Sequence, residues 1–326
     1  MAHLVPVDKL EVQILVDNVT DSLSTIPAFA ESEFAYLERH GMGELAGDCL
    51  CCACHGLSCL VTAYRGNQRH AVLFDSGPEE YAFERNSSRL GAPLAQVESI
   101  VLSHGHWDHA GGMLKALDLI RAANGGGEIP YYAHPGMFRS RARRLPNGNM
   151  MPTRDVPSVE ALRARGARVI STTEPVELLD GMFWVSGEIP RVTPFEKGLP
   201  AHYQRTEDGQ HWQPDPWLID ERFLAANVAG KGLVVFTACS HAGVINVLRH
   251  ARQSFAGVSL HAVAGGLHLA GPNEGIISET VAEMAEFGLR TIATGHCTGW
   301  RATTALANTF GDQVLAPLAV GKRYTF

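Results

Sequence analysis

The chain has 326 residues, 45% of them hydrophobic and 19% charged, and its 27 basic and 34 acidic side chains leave a formal charge of −7. This length and apolar content exclude a disulfide-stapled mini-domain and wholesale disorder. The acidic balance argues against a dedicated nucleic-acid binder, which is ordinarily basic. Met1 to Leu10 shows no basic region followed by an apolar run, and no stretch approaches the roughly 20 apolar residues of a membrane span. A cytoplasmic protein with neither a nucleic-acid nor a membrane partner is expected.

In chain order, Val12 to Val16 predicts a first strand, and Ser58 to Tyr64 and His70 to Phe74 form a hairpin-like pair around Arg65-Gly66-Asn67. A helix ends near Asn86 to Leu90. "VESIVLSH" is a strand running straight into a histidine loop, and Leu114 to Ala123 has helical period before the stop Asn124-Gly125-Gly126-Gly127. "IPYYAH" returns to strand. Residues 138–154 are arginine-rich and lid-like, open to reading as a solvated loop or as a basic rim. Residues 159–165 are helical, and "ARVISTT", "VELLDG" and "MFWVSG" are short strands. The polar stretch Arg191 to Pro216 is a long insertion over an edge or a site. Then come the strand "KGLVVFTA", a helix over 244–252, the strand "VSLHAVAGG", a helix over 276–287, the strand "RTIAT" and a helix over 301–310. Strands alternating with helices predict a layered α/β fold in one domain over 1–326, with insertions near 130–160 and 191–216.

Seven cysteines form no disulfide framework in a chain of this kind. Five of them, Cys49, Cys51, Cys52, Cys54 and Cys59, are clustered at a spacing that matches no usual zinc or iron-sulfur pattern.

The sharpest signal is Ser103-His104-Gly105-His106-Trp107-Asp108-His109-Ala110-Gly111-Gly112. Four ligand-type side chains occur within six residues at the end of a strand. His104 and His106, two apart on extended backbone, point the same way. Asp108 and His109 sit where the chain turns into a helix and can serve a second, adjacent position. Crowded, buried polar groups need partners, and a metal ion supplies one. Three more histidines follow strands: His241 after "VVFTACS", His268 after "AVAGGL" and His296 after "TIATG". Strand ends on one side of a sheet converge on one site.

"SHGHWDHAGG" resembles the histidine signature of the metallo-β-lactamase superfamily. With "HGLSCLV", "AVLFDSG", "KGLVVFTACSHAGVINVL", "AGGLHL" and "TGHCTG" in order, residues 10–320 resemble the branch named after a dihydropterin-ribofuranosylaminobenzene-phosphate synthase. The resemblance implies a four-layer αββα sandwich with a dinuclear site along one edge. It gives His104, His106 and His241 to one ion, and Asp108, His109 and His296 to the other. Most of the superfamily also carries a bridging aspartate; here "AVAGGLHL" places His268 at that point, as a ligand, a donor behind a ligand or a substrate contact. Asp108 and His268 are the catalytic candidates. Asp75 supports the histidine loop from behind. His55 and Cys297 are substrate or wall contacts, and Cys239 and Cys297 both offer a soft donor near the ligands.

The implied cofactors are two divalent metal ions, Zn2+ first, with Mn2+ or Fe as alternatives and with the second ion the weaker. The expected chemistry is hydrolysis by a metal-bound hydroxide of a small anionic substrate, a phosphodiester or phosphate ester. The alternative is a lactonase, a thioesterase or the synthase-like reaction on the same centre. No nucleophile elbow, phosphate-binding loop or dinucleotide fingerprint competes. The arginines at 139–144, with Arg191 and Lys197, are candidate anion contacts, and the insertion near 130–160 is a candidate homodimer contact.

Overall fold

The computed structural model describes residues 4–326. Two sheets carry the architecture. The first has eight strands in the order Ala30–Glu31, Arg323–Thr325, Lys9–Val16, Ser58–Arg65, Gln68–Phe74, Val97–Val101, Ile129–Ala133 and Ala167–Ser171. The second has six, in the order Val176–Leu178, Phe183–Val185, Leu224–Val228, Gly232–Thr237, Leu260–Gly266 and Thr291–Gly295.

Side-chain alternation explains the layering. Along Gly232–Thr237, Val234 and Phe236 enter the core between the sheets, while Leu233 and Val235 enter a second core under the helices Val244–Ser254, Ile277–Ala285 and Trp300–Phe310. Along Gln68–Phe74, Val72 and Phe74 face the same central core, and Ala71 and Leu73 face a third core with Phe83, Met113, Leu117 and Leu162. Strands buried on both faces must be apolar at successive positions, which is why these segments read as continuous hydrophobic runs. The result is the αββα sandwich.

Within each sheet a parallel block defines the functional edge. Gln68–Phe74, Val97–Val101, Ile129–Ala133 and Ala167–Ser171 pair in parallel, as do Gly232–Thr237, Leu260–Gly266 and Thr291–Gly295. The ends of these strands deliver Asp75, Ser103, His241, His268 and His296 to one side of the molecule.

The two polar stretches meet in a third, four-stranded sheet, Trp212–Pro214, His202–Arg205, Arg141–Arg144 and Met150–Pro152. His202–Arg205 pairs antiparallel with Arg141–Arg144, so each stretch contributes one hairpin. Residues 138–154 are thus largely ordered as a hairpin, where a lid-like loop was expected. Among the described residues no helix is long and apolar enough to cross a membrane.

Candidate metal centre

The histidine loop is held from behind by Asp75. This buried residue turns the chain at φ +61°, and its carboxylate accepts bonds from the Ser103 amide (2.8 Å), the Ser103 hydroxyl (2.7 Å) and His109 Nδ1 (2.8 Å). The short helix Trp107–Ala110 carries Asp108 and His109. It packs so closely on the turn after Asp75 that a Cβ on Gly111 would lie 1.8 Å from the Pro78 carbonyl oxygen.

Six of the sequence candidates form two adjacent groups. His104 Nε2 lies 3.0 Å from His106 Nδ1 and 3.1 Å from His241 Nε2. His109 Nε2 lies 3.2 Å from His296 Nε2, and Asp108 Oδ2 is 3.4 Å from His296 Nε2 and 3.8 Å from His109 Nε2.

The hydrogen-bond network fixes the tautomers. The Ser103 hydroxyl gives its proton to Asp75, so it accepts from His104 Nδ1 at 2.8 Å and leaves His104 Nε2 bare. His202 Nδ1 donates to the Asp215 carbonyl at 3.0 Å, so His202 Nε2 accepts from His106 Nε2 at 3.0 Å and leaves His106 Nδ1 bare. His109 Nδ1 donates to Asp75, and His296 Nδ1 donates to Asn18 Oδ1 at 3.0 Å. Bare nitrogens therefore face each other in both groups. Opposed lone pairs at 3.0–3.2 Å require a cation between them.

That cation is either a proton or a metal ion. In the Asp108 group a proton is well tolerated: burial opposes charging His109, but Asp108 and Asp75 outweigh it and raise its pKa to about 9. Burial likewise opposes the Asp108 charge, yet His109 and His296 hold its carboxyl well below the usual range. In the other group, burial and the neighbouring imidazoles hold His104, His106 and His241 well below the ordinary histidine value. A proton is disfavoured there, and three neutral imidazoles suit a borderline divalent metal. The donor set fits the ions that the sequence implies.

His55 is exposed. It accepts from Asn18 Nδ2 at Nδ1 (3.1 Å) and turns Nε2 toward Asp108 Oδ2 at 3.4 Å, so it completes a possible ligand trio with Asp108 and His296. His296, at φ +48°, is anchored through its amide to Asp17 Oδ1 (2.9 Å). Sequence reasoning passed over Asp17 and Asn18, although both follow a strand end in the same way as Asp75.

His268 joins neither group. It follows its strand at φ +44°, its ring centroid is 4.5 Å from that of His241, and its ligand atom groups with the sulfurs of Cys239 and Cys297. The two sulfurs are 3.3 Å apart, and Cys239 Sγ is 3.2 Å from His109 Nε2. Burial opposes a negative charge on both sulfurs; the Cys239 bond and the rings of His296 and His268 pull the Cys297 thiol down, and Cys239 is pushed up. The early cysteine cluster forms no such group among the described residues.

Two members of the arginine rim, Arg141 and Arg191, are corrected by the structure, while Arg143, Arg144 and Lys197 are exposed. Arg141 is buried and ion-paired to Asp220 at 2.8 Å, and Asp220 in turn accepts the Gly105 amide at 2.8 Å. Arg191 is bonded to the carbonyls of Ile189, Trp217 and Leu218. Arg141 thus ties the four-stranded sheet to the histidine loop through Asp220, and Arg191 ties its own segment to the Trp217–Leu218 backbone, so both guanidiniums are already engaged within the protein. His202, which the sequence did not single out, comes from the same four-stranded sheet as Arg141.

A family model described as the metallo-beta-lactamase superfamily matches residues 55–223, just over half of the chain and including the whole histidine loop. The chain belongs to the metallo-beta-lactamase superfamily. It is 28% identical over 260 residues to the 7,8-dihydropterin-6-methyl-4-(beta-D-ribofuranosyl)-aminobenzene-5'-phosphate synthase of Methanocaldococcus jannaschii, covering 79% of this chain and 85% of that protein. An uncharacterized protein of the same organism is 30% identical over 257 residues, covering 78% of this chain and 87% of the other. The crystal structure of Tm1679, a metal-dependent hydrolase of the beta-lactamase superfamily, superposes with a TM-score of 0.70 at 21% identity over 96% of this chain and 98% of that one. The superfamily fold expected from the histidine signature is thereby shown.

Proposed function

We propose that the protein is a metal-dependent hydrolase of a small anionic substrate, a phosphodiester or phosphate ester, acting at a pair of divalent ions. The observation that carries this reading is the opposition of bare nitrogens in two adjoining ligand groups. His104, His106 and His241 would hold one ion, and Asp108, His109 and His296 the other, with zinc suiting this nitrogen-rich set. Two such ions supply Lewis acidity and lower the pKa of water toward neutrality.

The protein's own residues do the remaining work. Asp75 keeps His109 Nδ1 protonated and its Nε2 directed at the centre. His202 accepts from His106 Nε2 and so directs its Nδ1 at the centre, and Asn18 holds His296 as Asp75 holds His109. His55, exposed beside Asp108, is placed to touch a bound substrate. His268, lining the centre beside His241, is a further substrate contact. The chain is acidic overall, so attraction of an anion rests on the ions themselves. We place the enzyme in the cytoplasm, without a nucleic-acid or membrane partner.

A second reading is favoured by the 28% identity to the dihydropterin-ribofuranosylaminobenzene-phosphate synthase over most of both chains. Under it, the same centre handles a phosphorylated pterin-type substrate in a bond-forming step.

The test is metal content per chain on protein purified without added metal, followed by turnover of a generic phosphodiester, a phosphomonoester, a lactone and a thioester. About two zinc ions and metal-dependent phosphodiester turnover support the first reading. Turnover of the lactone or thioester alone overturns it. Failure of zinc to bind at all overturns both readings.

A further inference from the structure

The two ligand groups together hold five histidines and a single carboxylate, Asp108. Two divalent cations in that set would meet only one protein anion. A second anionic donor stands between the groups. Cys239 Sγ is 3.2 Å from His109 Nε2, and it lies within 4.8 Å of the ligand atoms of both His104 and His109, one from each group. We propose that Cys239 is a thiolate ligand of the metal centre, seated between its two halves. This inference rests on the metal-centre reading above.

The local structure presents this sulfur as a ligand. Cys239 is buried, two residues beyond the strand Gly232–Thr237 and two before His241. The turn between them is fixed by Ser240, at φ +58°, whose hydroxyl donates to the Gly266 carbonyl at 2.9 Å and meets Thr237 Oγ1 at 2.8 Å. Zinc bonds of about 2.3 Å to sulfur and about 2.0 Å to nitrogen give a tetrahedral S···N edge of ~3.5 Å. The observed 3.2 Å contact needs little adjustment to reach it. Cys297 has a different place. Its thiol is directed at the Cys239 sulfur (3.3 Å) and at the Cys239 carbonyl (3.6 Å), as a donor supporting a thiolate. A divalent cation deprotonates the thiol that coordinates it, so Cys239 becomes the thiolate when the centre is filled. A thiolate in the set also tilts selectivity toward zinc or cobalt and away from manganese.

The experiment is cobalt substitution of the full chain under reducing conditions, with absorption spectroscopy and metal counting. A sulfur-to-cobalt charge-transfer band in the near ultraviolet is expected in the wild type. It should vanish in Cys239→Ala and Cys239→Ser and persist in Cys297→Ala. In chelator competition, Cys239→Ala should weaken the more labile ion at least about 100-fold, at or beyond the upper end of losing an outer partner, and reduce the preference for zinc over manganese. Two cobalt ions bound without the band overturn this inference and leave the hydrolase reading standing. A band lost only in Cys297→Ala overturns it as well. A wild type that binds no cobalt overturns both together.

Discussion

His106 and His202 face each other through their Nε2 atoms at 3.0 Å, and the second ring comes from a hairpin nearly a hundred residues away. His202 Nε2 can accept only because its Nδ1 is committed to the Asp215 carbonyl. The pair therefore couples the four-stranded sheet to the His104, His106 and His241 group. His202→Ala should weaken the first zinc by 10–100-fold, the range for loss of a partner behind a ligand, as read by chelator competition. His202→Gln, which can still accept from His106, should recover part of the loss. Equal affinity in wild type and His202→Ala would show that the ring merely fills space.

The uneven legibility of this site has a physical basis. His104, His106, Asp108 and His109 are visible because four donors share six residues at a strand end. His241 and His296 are visible because a β-branched or alternating run announces the strand before each. His202 has no such herald: its strand, His202–Arg205, is partly exposed and has no apolar alternation. The Arg141–Asp220 pair spans 79 residues, and no local pattern can reveal that the arginine is buried. The strand Leu224–Val228 escaped notice because its central Ala225-Ala226 has little β preference and is held by its neighbours. The helix Glu33–Arg39 is one short element that buries only Glu33, Tyr36 and Leu37, too little for a periodic signal.

Asp75 accepts three hydrogen bonds in a site with no exposure to water. Asp75→Asn replaces one acceptor oxygen by a donor that would confront either both His109 Nδ1–H and the Ser103 hydroxyl or, flipped, the Ser103 amide. We expect a loss of about 1–3 kcal/mol in stability, together with release of the ion at Asp108 and His109 before that at His104. Urea titration and metal counting on one preparation check both. Retention of two ions at full affinity would mean that His109 is oriented by something other than Asp75.

Gly111 cannot carry a side chain. The Cβ position lies 1.8 Å from a backbone oxygen, Pro78 O, which has no rotamer to retreat into. Gly111→Ala must separate the Trp107–Ala110 helix from the turn after Asp75, and so displace Asp108 and His109 together. A loss of about 2–4 kcal/mol is expected, at the upper end of single substitutions. Thermal unfolding with and without zinc gives the comparison. Zinc should protect the variant less than the wild type, because the ligands are misplaced. Equal protection would place the strain away from the site.

Glu196 supplies the pH dependence. Its buried carboxylate accepts from Thr193 Oγ1 (2.8 Å) and from the amides of Ile245 (2.8 Å) and Asn246 (3.0 Å), capping the helix Val244–Ser254 that packs under the His241 strand. Burial outweighs these bonds and raises its pKa from 4.5 to about 7. The folded form then binds more protons than the unfolded chain between those two values. Its contribution is full below the unfolded value and is lost as pH rises toward about 7. The full span is about 3–4 kcal/mol, at 1.36 kcal/mol per unit. Glu196→Gln cannot titrate, and its single amide oxygen cannot accept all three bonds. The readout is therefore the slope. Between about pH 5 and pH 8 the stability advantage of the wild type over Glu196→Gln should narrow, since all other ionising groups are common to both. A constant difference across that range would place the folded pKa of Glu196 near its unfolded value and make the three hydrogen bonds strong enough to offset burial.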